Sequence, residues 1–420
     1  MSAMVSTRKS IVALYGVQLI TYVLPLITIP YLSYVLGPAG IGTIGYAQTV
    51  AQILLIFVDF GFDLTSTRKI AIHRDEPGII NRIYWTTMTA KAMLALVGSG
   101  VLIFLALVVY KSPGDRTSLL LANLVLWGNV LTPTWLYQGL QRMSLLAVWV
   151  VVIRILLLAP LFLLVKGSGD VGLASGLQFA PSLFSGLILT AIAFSKGEIY
   201  LKVETSIESI LEEAKDSYHL FLSSALTSIY MYANVLLLRL ISGSVGVGYY
   251  VAADKITTPL RQLSTPPIQA FFPKICGMYA EGDHLGVQKI IRRFILVFLA
   301  AGALMFVGFE LFGEWFVQHF FGSKFHDTFP ILRVMIIVPV IIGVAATLVQ
   351  LRLIASGNQA VLKKIYFVGA IFHILQAPLV IYHWGALGAA YSVVATEVLM
   401  TAMIIYASKE VTEKYRFARV

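Results

Sequence analysis

Four cations stand inside runs of apolar residues, where a charge is costly: Lys91, Arg154, Lys255 and Arg261. In hydrocarbon each needs an acidic partner or an anionic ligand. The acids in comparable surroundings are fewer: Asp254 beside Lys255, Glu397, and Glu310 nearer a loop. Internal pairs such as Arg154 with Glu397 or Arg261 with Asp254 neutralise some of the cations but not all four. The surplus points to an anionic substrate, and a guanidinium suits two-point contact with phosphate. Arg239, Arg333 and Arg352 fall near helix ends, from which a long side chain reaches water. Asp254, Glu397 and His373 can each take up a coupling proton or sodium ion; the alternative for each is a satisfied hydrogen bond within a helix bundle.

Polar residues recur at helical spacing in four of the apolar runs. They are Tyr15, Gln18 and Tyr22; Gln48, Gln52 and Asp59; Ser223, Thr227, Tyr230 and Asn234; and Asp254, Thr258 and Arg261. Such stripes line a wet cavity or serve as hydrogen-bonding glue between helices. Four of them, in matching places of two halves, favour the cavity.

Other chemistries lack their residues. There is no G-x-x-x-x-G-K-[ST] loop, and no polar segment is long enough to fold an ATPase domain. Neither G-x-S-x-G nor H-E-x-x-H occurs, and the outer loops are too short for a catalytic domain, so no enzyme activity and no cofactor are expected. Cys276 is the single cysteine, which excludes an intrachain disulfide and a cysteine-based metal cluster. The net charge of +10 is scattered over short loops rather than gathered on one face, so nucleic acid is not an expected partner.

The elements that must position these residues are membrane spans. Of the 420 residues 58% are hydrophobic and 12% charged, against roughly 25% charged in a soluble domain. Apolar windows predict an all-α polytopic protein of about twelve spans, over residues 11–36, 41–63, 84–109, 118–139, 144–165, 171–194, 218–241, 247–272, 292–313, 329–353, 364–383 and 385–407. The first is too long for a signal-peptide core and is expected to stay. One set of alternate loops holds twenty Lys and Arg, the other only Lys111, Arg116, Lys166 and Lys324, which places both termini on the cytoplasmic side. The expected organisation is a six-helix bundle over residues 1–196, a cytoplasmic linker over 197–217, and a second six-helix bundle over 218–420. In the linker, Thr205 and Glu208 have capping-box spacing, and Ile207, Ile210, Leu211 and Ala214 share one face of a short amphipathic helix. A faint repeat pairs Gly45-Tyr46-Ala47 with Gly248-Tyr249 and Ala252, and Tyr15 with Tyr218, consistent with parallel repeats. Pro25, Pro30, Pro259, Pro266 and Pro267 interrupt apolar runs as hinges or as packing kinks.

Specific strings then become recognisable: Val35-Leu36-Gly37-Pro38-Ala39-Gly40-Ile41-Gly42, Asp59-Phe60-Gly61 with Arg68, Trp135-Leu136-Tyr137-Gln138-Gly139 with Arg142-Met143, and Tyr249 through Ala253-Asp254-Lys255-Ile256. In order and spacing they resemble the Wzx-type O-antigen flippases of the multidrug/oligosaccharidyl-lipid/polysaccharide (MOP) exporter superfamily. Gln141 departs from the pattern, since similar proteins often have Glu after the Trp-Leu-Tyr-Gln-Gly string. The resemblance implies two six-helix bundles in a V around a cavity lined by spans 1, 2, 7 and 8. It also implies transfer of undecaprenyl-pyrophosphate-linked oligosaccharide across a bacterial inner membrane, alongside a polysaccharide polymerase and a chain-length regulator. The rival readings are a cation-coupled multidrug exporter of the same superfamily and a non-transporting membrane component of glycan assembly.

Overall fold

Backbone amides in hydrocarbon find no water to bond, so apolar runs of this length fold as helices. In the computed structural model the described residues form helices and turns only. They comprise the backbone of residues 2–417 and the side chains of 24–222, 225 and 232–411. The chain divides into two compact units, Met1–Tyr232 and Ala233–Val420.

The first unit contains α1 (Ser2–Asp59), α2 (Phe62–Ile72) and α3 (Pro77–Phe104), which ends in a π-helical turn at Leu105–Val109. There follow α4 (Pro113–Leu121), α5 (Asn123–Leu131), α6 (Thr134–Gly139), α7 (Met143–Leu156), α8 (Leu158–Leu164) and α9 (Val171–Ser195). Next, α10 (Ile207–Gln262) begins in the first unit and continues into the second. The second unit adds α11 (Thr265–Ala280), α12 (His284–Phe321), α13 (Thr328–Met335), α14 (Val338–Leu348), a π-helical stretch at Val349–Ile354, and α15 (Ala360–Phe417). Pro266 and Pro267, read from sequence as interruptions of a span, occupy the first turn of α11, where the missing amide costs nothing.

Among the described residues nine helices are long and apolar enough to cross a membrane. Three of these are bent at a glycine, Gly37 in α1, Gly243 in α10 and Gly385 in α15. These are the places where the sequence separates spans one from two, seven from eight, and eleven from twelve. Gly37 (φ 67°, ψ −178°) and Gly243 (φ 66°, ψ −166°) share one backbone geometry, in the φ > 0 region open to glycine. Each is followed by glycines three and five positions on, Gly40 and Gly42 against Gly246 and Gly248. The bends therefore set the repeat at 206 positions, three more than the pairing of Gly45 with Gly248.

Packing relies on small residues, as membrane helices lacking a hydrophobic drive between them require. A Cβ on Gly128 of α5 would lie 2.4 Å from the Ser182 backbone of α9, and one on Gly186 of α9 2.8 Å from the Gly128 carbonyl oxygen. In the second unit one buried cluster joins α11, α12, the π-helical stretch and both arms of α15, through Ile275, Ile291, Leu351, Ile365 and Ile404 among others.

The polar segment between α9 and α10 is built into the first unit. Asn81 of α3 clamps it twice, donating from Nδ2 to the Lys202 carbonyl (2.8 Å) and accepting from the Tyr200 amide (2.9 Å). The Trp85 indole donates to the Tyr200 carbonyl at 2.9 Å. The helix starting at Ile207 is capped by Ser206, whose Oγ accepts from the Ser209 amide (3.1 Å), while Thr205 donates to Thr86 instead. It continues unbroken as α10. Its docked side is polar, with Glu213 and Ser217 buried, and Ile207 and Leu211 are exposed.

Candidate functional site

In the first unit, the chain leaves α1 through two residues of positive φ, Phe60 (43°) and Gly61 (81°). A side chain on Gly61 would meet the Ser217 carbonyl oxygen at 2.9 Å, so glycine is required by space as well as by conformation. This reversal brings Asp59 at the end of α1 and Asp63 in the first turn of α2 to the same cation. The Lys91 ammonium lies 2.8 Å from Asp59 and 3.0 Å from Asp63, with 1% of its side chain exposed. Two carboxylates thus neutralise Lys91 internally.

Arg154 has a different environment. On α7 it shares a face with the buried Ala147 and Val151, at positions i, i+4 and i+7, while Val148, Ile155 and Leu156 form the exposed side. Arg154 is half-buried, and among the described residues its guanidinium makes no ion pair or hydrogen bond. Gln48 and Gln52 are half-buried on the face of α1 that also carries Asp59. Tyr15, Gln18, Tyr22, Thr227 and Tyr230 lie outside the residues whose side chains are described.

The second unit gathers several buried polar residues close together. His373 Nδ1 lies 2.8 Å from the Thr396 hydroxyl, and its Nε2 3.2 Å from Asn234 Oδ1. Asn234 Nδ2 donates to the Tyr250 hydroxyl at 3.4 Å. The Thr396 hydroxyl itself donates to the Ser392 carbonyl at 2.8 Å. His373, Asn234, Tyr250 and Thr396 are all buried. One turn beyond Tyr250, Asp254 accepts from Arg261 (3.2 Å) and Thr258 (3.2 Å), and Arg261 also donates to Thr257 (3.2 Å). Glu397, next to Thr396, interacts electrostatically with the Arg261 guanidinium. Lys255 is half-buried. Arg261 keeps one buried nitrogen, Nε, without a hydrogen-bond partner.

Four contributors were missed from sequence. Asp63 is the last residue of the second predicted span and was not singled out there, and the turn at Phe60-Gly61 brings it to Lys91. Tyr250, Thr396 and Gln376, which donates to the Ser392 carbonyl at 3.1 Å beside Thr396, carry local signals, Tyr250 with Asp254 at i,i+4 and Gln376 with His373 at i,i+3, that a polar-stripe reading could have used. Arg333, expected to reach water, also pairs with Glu310 at 2.6 Å.

Outside the spanning segments, α2 docks on the start of α10. Glu213 accepts from Lys69 (2.6 Å), Thr65 (2.7 Å) and Ser66 (3.3 Å). Asp216 lies 2.9 Å from the same ammonium. Desolvation opposes the charge on Lys69, but hydrogen bonds and charge from Glu213 and Asp216 outweigh it and hold its pKa above the ordinary value.

Among the described residues there is no cluster of three or more metal-ligating side chains. What the arrangement can do is hold an anion at a buried guanidinium, exchange a proton at a buried imidazole or carboxylate, and hydrogen-bond polyols.

The profile of the family described as "Polysaccharide biosynthesis protein" matches residues 7–278. Two curated relatives are similar over nearly the whole chain. One, from Escherichia coli (strain K12), is 28% identical over 404 residues, covering 95% of this chain and 96% of its own. The other, from Shigella dysenteriae, is 29% identical over 404 residues, covering 96% of this chain and 100% of its own. Both are named "Putative O-antigen transporter". Among solved structures, the lipid II flippase MurJ in an inward closed conformation superposes with a TM-score of 0.69 at 11% identity, over 97% of this chain and 89% of that one. An inward-facing multidrug resistance MATE family transporter of the MOP superfamily superposes with a TM-score of 0.66 at 17% identity, over 96% and 98%. These two likenesses establish an all-α membrane fold of the MOP type.

Proposed function

The chain belongs to the polysaccharide biosynthesis protein family, and from that premise we propose that it is a flippase for undecaprenyl-pyrophosphate-linked oligosaccharide, an O-antigen or related repeat unit. It works by alternating access in a bacterial inner membrane, with both termini in the cytoplasm. The flipped unit is then consumed by a polymerase acting with a chain-length regulator.

The observation that carries this reading is Arg154, a guanidinium on the inward face of α7 with no counter-ion among the described residues. A cation left unneutralised there is costly unless an anion visits it, and a pyrophosphate fits its two-point geometry. In the second unit Arg261 is held by Asp254 through one nitrogen, Nη2, which leaves Nε for a ligand. Lys255 supports the anion from the same helix. Lys91 is not carried forward in this role, because Asp59 and Asp63 already claim its charge. Gln48, Gln52, Asn234 and Thr258, with Tyr15, Gln18, Tyr22, Thr227 and Tyr230, supply hydrogen bonds to sugar hydroxyls.

Return of the empty carrier is coupled to a proton or sodium ion at His373, Asp254 or Glu397. All three belong to, or adjoin, the group of polar residues that includes Thr396 and Arg261, so a charge gained within it changes the hold on Arg261. The multidrug-exporter reading fits less well, since cationic drugs favour an acidic site and Arg154 is the opposite.

The test uses liposomes carrying a fluorescent polyprenyl-pyrophosphate oligosaccharide in one leaflet and a membrane-impermeant quencher. Protein-dependent crossing, abolished by Arg154→Ala and Arg261→Ala in folded protein, is the expected result. Absence of crossing under an imposed proton or sodium gradient would overturn the flippase reading. Crossing untouched by both substitutions would keep the flippase and discard the site.

A further inference from the structure

Three helix ends of the second unit converge on one buried cluster: the end of α11 through Ile275, the start of α12 through Val287 and Ile291, and the start of α15 through Leu362 and Ile365. Beside these anchors stand six exposed cations, Lys274, Lys289, Arg292, Arg293, Lys363 and Lys364. The same ends carry two acids, Glu281 and Asp283, and Asp283 is engaged in capping α12 through Gly286 at 2.9 Å. Among the described residues none of the six cations makes an ion pair or a side-chain hydrogen bond. In the first unit, by contrast, Lys69, Arg142 and Lys202 are each paired with a carboxylate, although Arg68 and Arg74 are exposed.

The second observation is one of depth. Three to four residues toward the apolar part of each helix, a large hydrophobic side chain is exposed on the same side: Phe271 before Lys274, Leu296 after Arg292, Val297 after Arg293, and Phe367 after Lys363. The chain direction differs, for α11 arrives at this end whereas α12 and α15 leave it, yet the order is the same in all three. A spacing of one turn is about 5.4 Å, which separates a phosphate from the first methylenes of its acyl chain. Cations that merely orient a membrane protein act by number in a loop. They need neither a common rigid base nor an apolar contact one turn deeper.

We propose that this basic end of the second unit is a binding surface for anionic glycerophospholipid, with phosphate on the six cations and acyl chains on Phe271, Leu296, Val297 and Phe367. The surface requires only that the protein spans a bilayer, so it stands or falls independently of the flippase reading.

The test compares the full-length protein in nanodiscs of phosphatidylcholine with and without phosphatidylglycerol. Native mass spectrometry counts retained lipid, and thermal unfolding gives stability. Wild type should retain phosphatidylglycerol preferentially and melt higher in its presence, both effects fading with salt. Neutralising Arg292, Arg293, Lys363 and Lys364 to Gln should weaken retention by roughly fivefold for each charge at the surface, with melting in phosphatidylcholine unchanged. Lys363→Arg with Lys364→Arg should retain the lipid, and Arg68→Gln with Arg74→Gln, exposed cations of the first unit, should leave retention at the wild-type level. No lipid preference in wild type overturns the proposal, and that measurement needs no variant to fold. So does full retention by the Gln variant, or displacement of the lipid by inorganic pyrophosphate, which would mark a free-phosphate site.

Discussion

Glu213, with 6% of its side chain exposed, lies 2.6 Å from the Lys69 ammonium and fastens the first turns of α10 to α2. The helix leading into the second unit therefore starts from a fixed base in the first. Removing the carboxylate strands Lys69, Thr65 and Ser66 together. Glu213→Ala should cost about 1–3 kcal/mol, the penalty for buried partners left unsatisfied, read as a lower melting temperature in detergent. An unchanged melting temperature would mean that α10 is held by its apolar contacts alone.

The same pair has a definite pH dependence. Because the folded pKa of Lys69 is raised above 10.5, its contribution is fully present below that value and lost as pH rises through the folded pKa. The stability gap between wild type and Lys69→Met should be constant from neutral pH to about 10 and close above the unfolded lysine value near 10.4. A gap that stays open as pH rises through the lysine range would assign the contribution to packing of the side chain rather than to its charge.

Lys91 is expected to be structural. Lys91→Met leaves Asp59 and Asp63 facing each other without their shared cation, and loss of one partner from a buried ion pair costs about 3–5 kcal/mol. Lys91→Met combined with Asp59→Asn and Asp63→Asn should recover most of that loss. Monodispersity and melting of the single and triple variants decide the matter, and equal instability of the two would show that the charges are not the cause.

His373 should separate transport from its driving force. In His373→Gln the amide can still meet Asn234 and Thr396, so melting should change by less than about 1 kcal/mol. Dependence of flipping on an imposed proton gradient should disappear while downhill flipping survives. Retention of full gradient dependence would move the coupling site to Asp254 or Glu397.

The bend at Gly243 can be tested against a glycine in an ordinary helix. A Cβ at Gly243 meets nothing within 4 Å, so the cost of Gly243→Ala comes from its φ of +66°. It should amount to about 1–2 kcal/mol. Gly277→Ala, also in open space but inside α11, should instead stabilise by roughly 0.5–1 kcal/mol. Equal melting shifts would show that the bend relaxes without strain.

What the sequence by itself determined are properties that reside in neighbouring residues. Helix-forming apolar runs, the family strings and the asymmetry of Lys and Arg between loops are all local, and each can be counted along the chain. So is the break at Gly37 or Gly243, because a glycine beside a run end is visible without any partner. Arg261 with Asp254, two turns apart on one helix, is a pair the sequence also offered, but the neighbours of Lys91 and Arg154 were decided only by the tertiary structure. Lys91 and Arg154 are alike in sequence, each a lone cation in an apolar run, yet one is wedged between Asp59 and Asp63 and the other has no acid among the described residues. The difference arises from the two positive-φ residues Phe60 and Gly61, which bring the end of α1 and the start of α2 to the same side chain of α3. Likewise, Asn234 and His373 are 139 positions apart, and only the folded chain brings them within hydrogen-bond reach. Pairing of buried polar groups depends on distances of a few ångströms, and a linear pattern carries none of those distances until the helices have packed.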